Sequence, residues 1–384
     1  MQNIFKSFNK VLISFLCLLI VGILIYATLH AVGVFNTRQG SDSGIAMQKN
    51  NLPTKKKAII LLHGLWATGA CFQKTKQQLQ ARLPEDIEII VLTESENTSL
   101  SITQQAARLK DTLLAKGINK ESYELILLGH SQGGLRGYQF YQEFGEQFDI
   151  KGLITMGTPW EGIPTAAITK ERVNAYLNNL AADYFLGTVE YFRPSSRELI
   201  SEFVENFFDA FRTHEPGVQD LVPKSKFLQQ VAASLGKNKL PILAIAGSSD
   251  DFAKIVLTDQ DYVAYVKDLK DLPLSVFKYI LNLLYSGIVT GQPGERHDMA
   301  VSVSSQLADN IPKSGHFITY TVLNIVHATP PTVSIPDQVS DTPIAADTGG
   351  VFDHVLLSDD QVVYTNADAL ERTVEFIRRY FCKL

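Results

Sequence analysis

The hydrophobic and polar positions fall into three regimes along the chain. From Val11 to Leu29 the run VLISFLCLLIVGILIYATL is almost wholly apolar, and no charged residue lies between Lys10 and Arg38. A run of this length can cross the ~30 Å hydrocarbon core of a bilayer as one helix. Residues 36–57 are polar, contain Gly, Ser, Asn and a lysine run, and lack an apolar period, which is the pattern of a flexible tether. From Ala58 onward, short apolar runs alternate with amphipathic segments. AIILLH, IEIIVL, YELILLG, KGLITMG, LPILAIAG and FITYTVLNIV predict strands, and roughly 69–82, 101–116 and 132–146 carry helical spacing. Strands that are apolar at successive positions belong to a sheet covered on both faces, and their alternation with helices gives repeated βαβ units and a parallel sheet. The fold class is therefore α/β, with a signal anchor or transmembrane helix over 1–35, a linker over 36–57 and one domain over 58–384.

Two stretches interrupt the alternation, at about 160–239 and 252–297. In the first, Leu199, Ile200, Phe203, Val204, Phe207, Phe208 and Phe211 recur as on one face of a helix; the second contains the apolar segment LPLSVFKYILNLLYSG. Both follow strand ends, where the loops of an open α/β sheet build its pocket, so they are expected to cap the site, with extra core packing as the other reading.

Composition narrows the function classes. With 35 Lys+Arg against 40 Asp+Glu the net charge is −5, so the chain lacks the basic footprint of a nucleic-acid binder. Three cysteines make no disulfide scaffold. Cys17 lies within the apolar run, and Cys71 and Cys382 are expected at opposite ends of the sheet, so both are read as free thiols. Lys6 and Lys10 precede the apolar run while only Arg38 follows closely, which puts the N-terminus in the cytoplasm and the domain outside, anchored to the membrane. The alternative is a cleaved signal peptide and a secreted domain. No His/Cys cluster has metal-ligand spacing, and no cofactor is implied.

The chemistry is carried by Gly129-His130-Ser131-Gln132-Gly133, a G-x-S-x-G motif set directly between the strand YELILLG and a predicted helix. A tight strand-to-helix turn forces its central residue into a strained conformation and presents Ser131 Oγ above the sheet at a helix N-terminus. A serine nucleophile needs two backbone donors aimed at the developing oxyanion. His63-Gly64-Leu65, after the first strand, can supply the Leu65 N–H, and Gln132 supplies the other; His63 is read as bracing that loop.

LHGLWATGACF, GHSQGG, TMGTPWEG and VQDLVPKSKFL together resemble the bacterial lipase branch of the α/β-hydrolase fold, including lipases similar to the glycosylphosphatidylinositol deacylases. The resemblance implies a mostly parallel sheet with helices on both faces, a helical cap, and hydrolysis of carboxylic esters by Ser-His-Asp, with the oxyanion hole at Leu65 and Gln132. Its chain order, Ser then acid then His, leaves His316, His327 and His354 as candidates for the base. His316 lies at the wrong end of its strand. His327 follows FITYTVLNIV at the strand's end, and His354 precedes the last helix (about 367–382), the placement that the family's base occupies. The reading favours His354, with His327 as the alternative. For the acid, Asp250 and Asp251 follow LPILAIAG, where the fold commonly places it, whereas Asp298 opens MAVSVSSQL, which resembles the lipase acid segment. The reading favours Asp298 over Asp251, with one departure: relatives commonly have Asp-Gly where this chain has Asp298-Met299.

The expectation is thus a membrane-anchored serine esterase or lipase acting on acyl lipids through Ser131, Asp298 and His354. Trp66, Trp160 and the Phe-rich stretch suggest an apolar acyl group. An acyltransferase using the same triad and a catalytically dead binding protein of the same fold are the alternatives.

Overall fold

Apolar residues at consecutive positions of a strand point to opposite faces, so a strand that is apolar throughout needs cover on both sides. In the computed structural model, which describes residues 55–92, 97–167, 214–249, 282–283, 285–327 and 361–382, the six expected strands form one parallel sheet. They are β1 (Lys56–Leu62), β2 (Ile87–Val91), β3 (Tyr123–His130), β4 (Asp149–Met156), β5 (Ile242–Ser248) and β6 (Phe317–Leu323), in the order β2-β1-β3-β4-β5-β6. β1 begins at Lys56, slightly ahead of its apolar run, because Lys56 and Lys57 pair in register with Tyr123 and Glu124 of β3.

The described helices include α1 (Gln73–Gln80), preceded by a 3-10 turn at Gly69–Phe72, α2 (Ile102–Ala115), α3 (Gln132–Phe144), α4 (Pro216–Gln219), α5 (Lys226–Leu235), α6 (Val303–Leu307) and α7 (Ala367–Phe381). They form two layers. Ala58, Ile60 and Leu62 of β1 and Leu125 and Leu127 of β3 share one core with Ile102 and Leu109 of α2, Leu135 and Tyr138 of α3, and Phe227 and Val231 of α5. The intervening Ile59, Leu61, Ile126 and Leu128 share the other with Leu79 of α1 and Leu370, Val374 and Ile377 of α7. A Ser101–Gln104 capping box starts α2, and the Asn366 side chain caps α7.

Part of the first insertion turns out to be core. α5 lies in residues 214–239, assigned from sequence to a cap, but it carries an amphipathic face that packs on the sheet as the helix leading into β5. Trp160 also changes role. It is fully buried between Tyr138 and Phe317, edge-to-face at 5.4 and 5.5 Å, so it packs the core and does not contact an acyl group in an open pocket.

Residues 11–29, the Phe-rich stretch 199–211 and Asp250, Asp251 and His354 lie outside the described residues. Among the described residues no helix is long and apolar enough to cross a membrane. Cys71 and Cys382 are both free. Thr75 bonds to the Tyr364 carbonyl near the start of α1 and α7, and Arg378 to the Arg82 carbonyl near their ends, which puts the two thiols at opposite ends of the layer. Burial pushes the Cys71 thiol up to about 12.

Candidate active site

The chain runs from β1 outward to β2, then returns past β1 to β3. Such a reversal opens a crevice at the carboxyl ends of the two central strands, and the loops after β1 and β3 meet there. A Cβ on Gly64 would lie 2.7 Å from Ser131 Cβ and 3.3 Å from Ser131 Oγ, so the His63-Gly64-Leu65 turn touches the serine directly.

Ser131 sits at φ 55°, ψ −129°, a strained conformation for a residue with a side chain, and its N–H donates to the Met156 carbonyl at 2.9 Å. The neighbouring glycines explain why the turn is possible. A Cβ on Gly129 would strike the backbone of Gly133 and Gly134, and one on Gly133 would strike the carbonyls of Leu62 and His63. The elbow is pressed against β1 with no room for side chains, which fixes Ser131 relative to the Leu65 loop.

Neither the Leu65 nor the Gln132 backbone N–H meets an acceptor among the described residues. Gln132 is the first residue of α3, so its N–H is one of the free donors at a helix start, where the helix dipole also favours negative charge. The Leu65 loop is held from several sides. Trp66, at φ 55°, donates its N–H to Thr98 Oγ1 (2.8 Å) and its indole Nε1–H to Glu215 Oε2 (2.9 Å). The Gln132 side chain donates to the Gly217 carbonyl at 2.8 Å. Beneath the loop, the fully buried Arg136 of α3 donates to the His63 carbonyl at 3.2 Å, and burial lowers its guanidinium to about 9. His63 is buried with Nδ1 3.0 Å from the Gly64 carbonyl, a bracing position.

On the other side of the crevice, Asp298 Oδ2 lies 2.7 Å from His327 Nδ1. The second oxygen, Oδ1, accepts from the backbone N–H of Ala300 (3.1 Å) and Val301 (2.8 Å), and the Asp298 carbonyl accepts the His327 N–H at 2.7 Å. The carboxylate is fully enclosed, while the imidazole keeps 13% of its side-chain surface exposed. Asp298 as acceptor makes Nδ1 the donor and leaves Nε2 free to take a proton.

Two further bonds place this pair. The Gln306 side chain pairs with Gly247 at the end of β5 in both directions, accepting its N–H (2.8 Å) and donating to its carbonyl (3.1 Å), and so holds the acid loop to the sheet. Val326 bridges in parallel to Val362, which pins the approach to His327 beside the segment leading into α7. Gly157, the residue after the Met156 carbonyl that receives Ser131, lies against both members: its Cβ would fall 2.8 Å from His327 Nδ1 and 3.1 Å from Asp298 Oδ2.

Of the residues singled out from sequence, Ser131, Leu65, Gln132, Asp298 and the alternative His327 thus gather around one crevice. The structure sets His327, not the favoured His354, against Asp298; His354 and Asp251 lie outside the described residues. Among the described residues, no group of His, Cys, Asp and Glu could hold a metal ion. Sequence reasoning missed Thr98, Glu215 and Gln306, which secure the loops, since lone polar residues in loops carry no period or motif.

The family model described as palmitoyl protein thioesterase matches residues 58–239, a span that holds β1 to α5, the HGL turn and the elbow. The chain has the α/β-hydrolase fold. Among solved structures, this hydrolase-fold chain is similar to the mature form of lipase BlEst2 from Bacillus licheniformis, at 13% identity over 73% of this chain and 89% of that one, with a TM-score of 0.37. It is also similar to phospholipase PlaB from Legionella pneumophila (11% identity, 85% of this chain, 64% of that one, TM-score 0.44) and to a hydrolase from Oleispira antarctica (15%, 70%, 84%, TM-score 0.34). No curated protein matches the chain. Along the chain Ser131 comes first, then Asp298, then His327.

Proposed function

We propose that the chain is a membrane-anchored serine hydrolase that cleaves carboxylic esters of acyl lipids through an acyl-enzyme, with Ser131, His327 and Asp298 as its triad. The observation that carries this reading is the 2.7 Å contact between buried Asp298 and His327, set against Gly157 beside the strained Ser131. Ser131 Oγ attacks the acyl carbonyl as His327 Nε2 takes its proton. Asp298 stabilises the imidazolium, and the N–H groups of Leu65 and Gln132 receive the oxyanion. His327 then protonates the departing alcohol. Water repeats the sequence on the acyl-serine, releasing the carboxylic acid and restoring Ser131.

The test is Ser131→Ala on the full-length protein in detergent, assayed on a chain-length series of esters. A folded variant should lose about 10⁴ to 10⁶ in kcat. Retention of a tenth of the wild-type rate would remove Ser131 as nucleophile. An acyltransferase would give transfer product when an acceptor alcohol competes with water, and a binding protein would fail to react with a fluorophosphonate probe.

A second reading, cleavage of acyl thioesters, is favoured by the similarity to palmitoyl protein thioesterases. The same triad serves, with a thiol leaving. Matched ester and thioester substrates of one acyl chain separate the two by their kcat/KM ratio. Anchoring rests on the apolar run Val11–Leu29. It predicts retention in the membrane pellet after a carbonate wash and an N-terminus at Met1 or Gln2; a mature N-terminus near Val32 would instead mean a secreted enzyme.

A further inference from the structure

The residue immediately before the nucleophile makes a contact that proton transfer does not use. His130 ends β3, buried, with Nε2 2.8 Å from the backbone carbonyl of His327. The two imidazole rings lie 4.6 Å apart at 45°, and the ring of Tyr364 meets His130 edge-on at 4.8 Å and 71°. A carbonyl can only accept, so Nε2 of His130 carries a proton and donates.

We propose that His130 is a positioning residue for the base, clamping the backbone of His327 to the strand that ends in the nucleophile. The inference rests on reading Ser131 and His327 as nucleophile and base. Asp298 already holds His327 twice, through its side chain at Nδ1 and through its carbonyl at the N–H. Both of those contacts come from a loop more than twenty residues upstream of the base, and neither refers to Ser131. Among the described hydrogen bonds of His327, the one from His130 does. It ties the carbonyl of His327 to the residue covalently joined to Ser131, so the separation of base and nucleophile is set by one rigid strand end. A one-ångström error in that separation is costly to a reaction that depends on alignment.

The chemistry of an imidazole suits this place. Burial, reinforced by the imidazoles of His327 and His63, lowers the protonation of His130 well below the ordinary histidine range, although its bond to the His327 carbonyl works the other way. The ring is therefore neutral, with its single proton committed to the clamp. A neutral neighbour leaves His327 free to become an imidazolium as the ester is attacked, where a fixed cation at the same distance would oppose that charge. Tyr364, from the segment preceding α7, packs against the same ring.

The test compares His130→Phe, which keeps a ring and loses the donor, with His130→Gln, which restores an amide N–H at similar reach. Both are measured on a soluble short-chain ester with the full-length protein in detergent. His130→Phe should lower kcat by ~10- to 100-fold with KM within about twofold, as expected when geometry is disturbed and substrate binding is not. His130→Gln should recover most of that loss. Paired with His327→Ala, the Phe change should have no further effect, because a residue that acts only through the base has nothing left to position. An equal fold loss in both backgrounds would overturn the proposal, as would a KM-borne effect or a Gln variant no better than Phe. Should the Phe variant fail to fold, ¹⁵N NMR of wild-type imidazoles decides: a neutral Nε2–H tautomer for His130 near pH 7 is expected, and a cationic ring or an Nδ1–H tautomer would refute the clamp. Full activity in His327→Ala alone would instead sink the triad reading itself.

Discussion

The two walls of the crevice are built by different rules. On one side, the Leu65 turn and the Ser131 elbow follow β1 and β3, adjacent strands, and their geometry is dictated by steric exclusion within short contiguous motifs: Gly129 and Gly133 allow backbone contacts that any side chain would block. On the other, Asp298 and His327 come from loops flanking β6 and are brought together by scattered hydrogen bonds from Gln306, Ala300, Val301 and Val363. The first wall is specified locally and so is rigid and recognisable. The second is specified by tertiary packing, so its members can move along the sequence without changing the geometry, which is why a triad is defined by position in space.

The largest expected effect breaks the second wall at its pairing. Asp298→Asn preserves shape but favours the wrong imidazole tautomer and should cost ~10⁴ in kcat, whereas Asp251→Asn should stay near wild type. His327→Ala should match Ser131→Ala in loss and His354→Ala should not. If His354→Ala were the inactive one, the 2.7 Å pair would be structural and the base would lie elsewhere.

The same contrast governs what the sequence made legible. The six strands and their parallel direction follow from apolar runs alternating with helices; the signature is unbroken where both faces are buried, as in β1, β3 and β5, whereas edge strand β6 keeps Ile318 and Leu323 exposed. The elbow is legible because its motif sits at a strand end, where Ser131 takes its strained conformation. For the acid and the base the resemblance favours Asp298 and His354, because placement before the last helix competes with placement after β6; the structure sets His327 against Asp298 at 2.7 Å, and His354 lies outside the described residues. α5 falls within the first insertion, where the sequence leaves cap and core packing both open, because amphipathicity alone does not say which surface its apolar face meets. His130 carries no legible role in the motif, because nothing in a pentapeptide reveals a contact 197 positions away.

The first wall should break sterically. Gly133→Ala puts a methyl group into the Leu62 and His63 carbonyls, so the elbow must shift or unfold. Overpacking of this kind costs ~1–3 kcal/mol or more, and activity should fall by at least ~10²-fold even in the fraction that remains folded, because Ser131 moves relative to Leu65. Thermal denaturation and fluorophosphonate labelling check the two effects. Wild-type labelling in a folded Gly133→Ala protein would show that the elbow is looser than its contacts imply.

A milder change sharpens the comparison within that wall. Trp66→Phe removes the indole bond to Glu215 while keeping an aromatic ring, and a hydrogen bond to a carboxylate contributes ~1.5–3 kcal/mol. Part of that loss should appear as loosening of the Leu65 donor, lowering kcat by ~10-fold with KM little changed. An effect confined to KM would place Trp66 in substrate binding, with the Leu65 loop held well enough by its bonds to Thr98 and Arg136.

The smallest effect lies at Met299, in the acid loop. Its φ of 78° is in the left-handed region, where a side chain costs ~1–2 kcal/mol and glycine costs nothing, which gives a physical reason for the Asp-Gly pair that the resembling lipases commonly carry. Here the side chain instead packs, half-buried, against the core shared with α7, and Tyr285 donates to the Met299 carbonyl at 2.7 Å. Met299→Gly removes strain and packing together, so its net effect on stability should be under about 1 kcal/mol, a shift of only ~2–4 °C in Tm. Met299→Ala removes the same packing and keeps the strain, and should melt below the glycine variant. Both should retain near-normal kcat, because the bonds that hold the Asp298 carboxylate come from the N–H groups of Ala300 and Val301 and the ring of His327. An alanine variant as stable as the glycine one would mean that the loop relaxes out of the left-handed conformation. A kcat loss in either would mean that the acid's position depends on the Met299 side chain and not on the backbone that follows it.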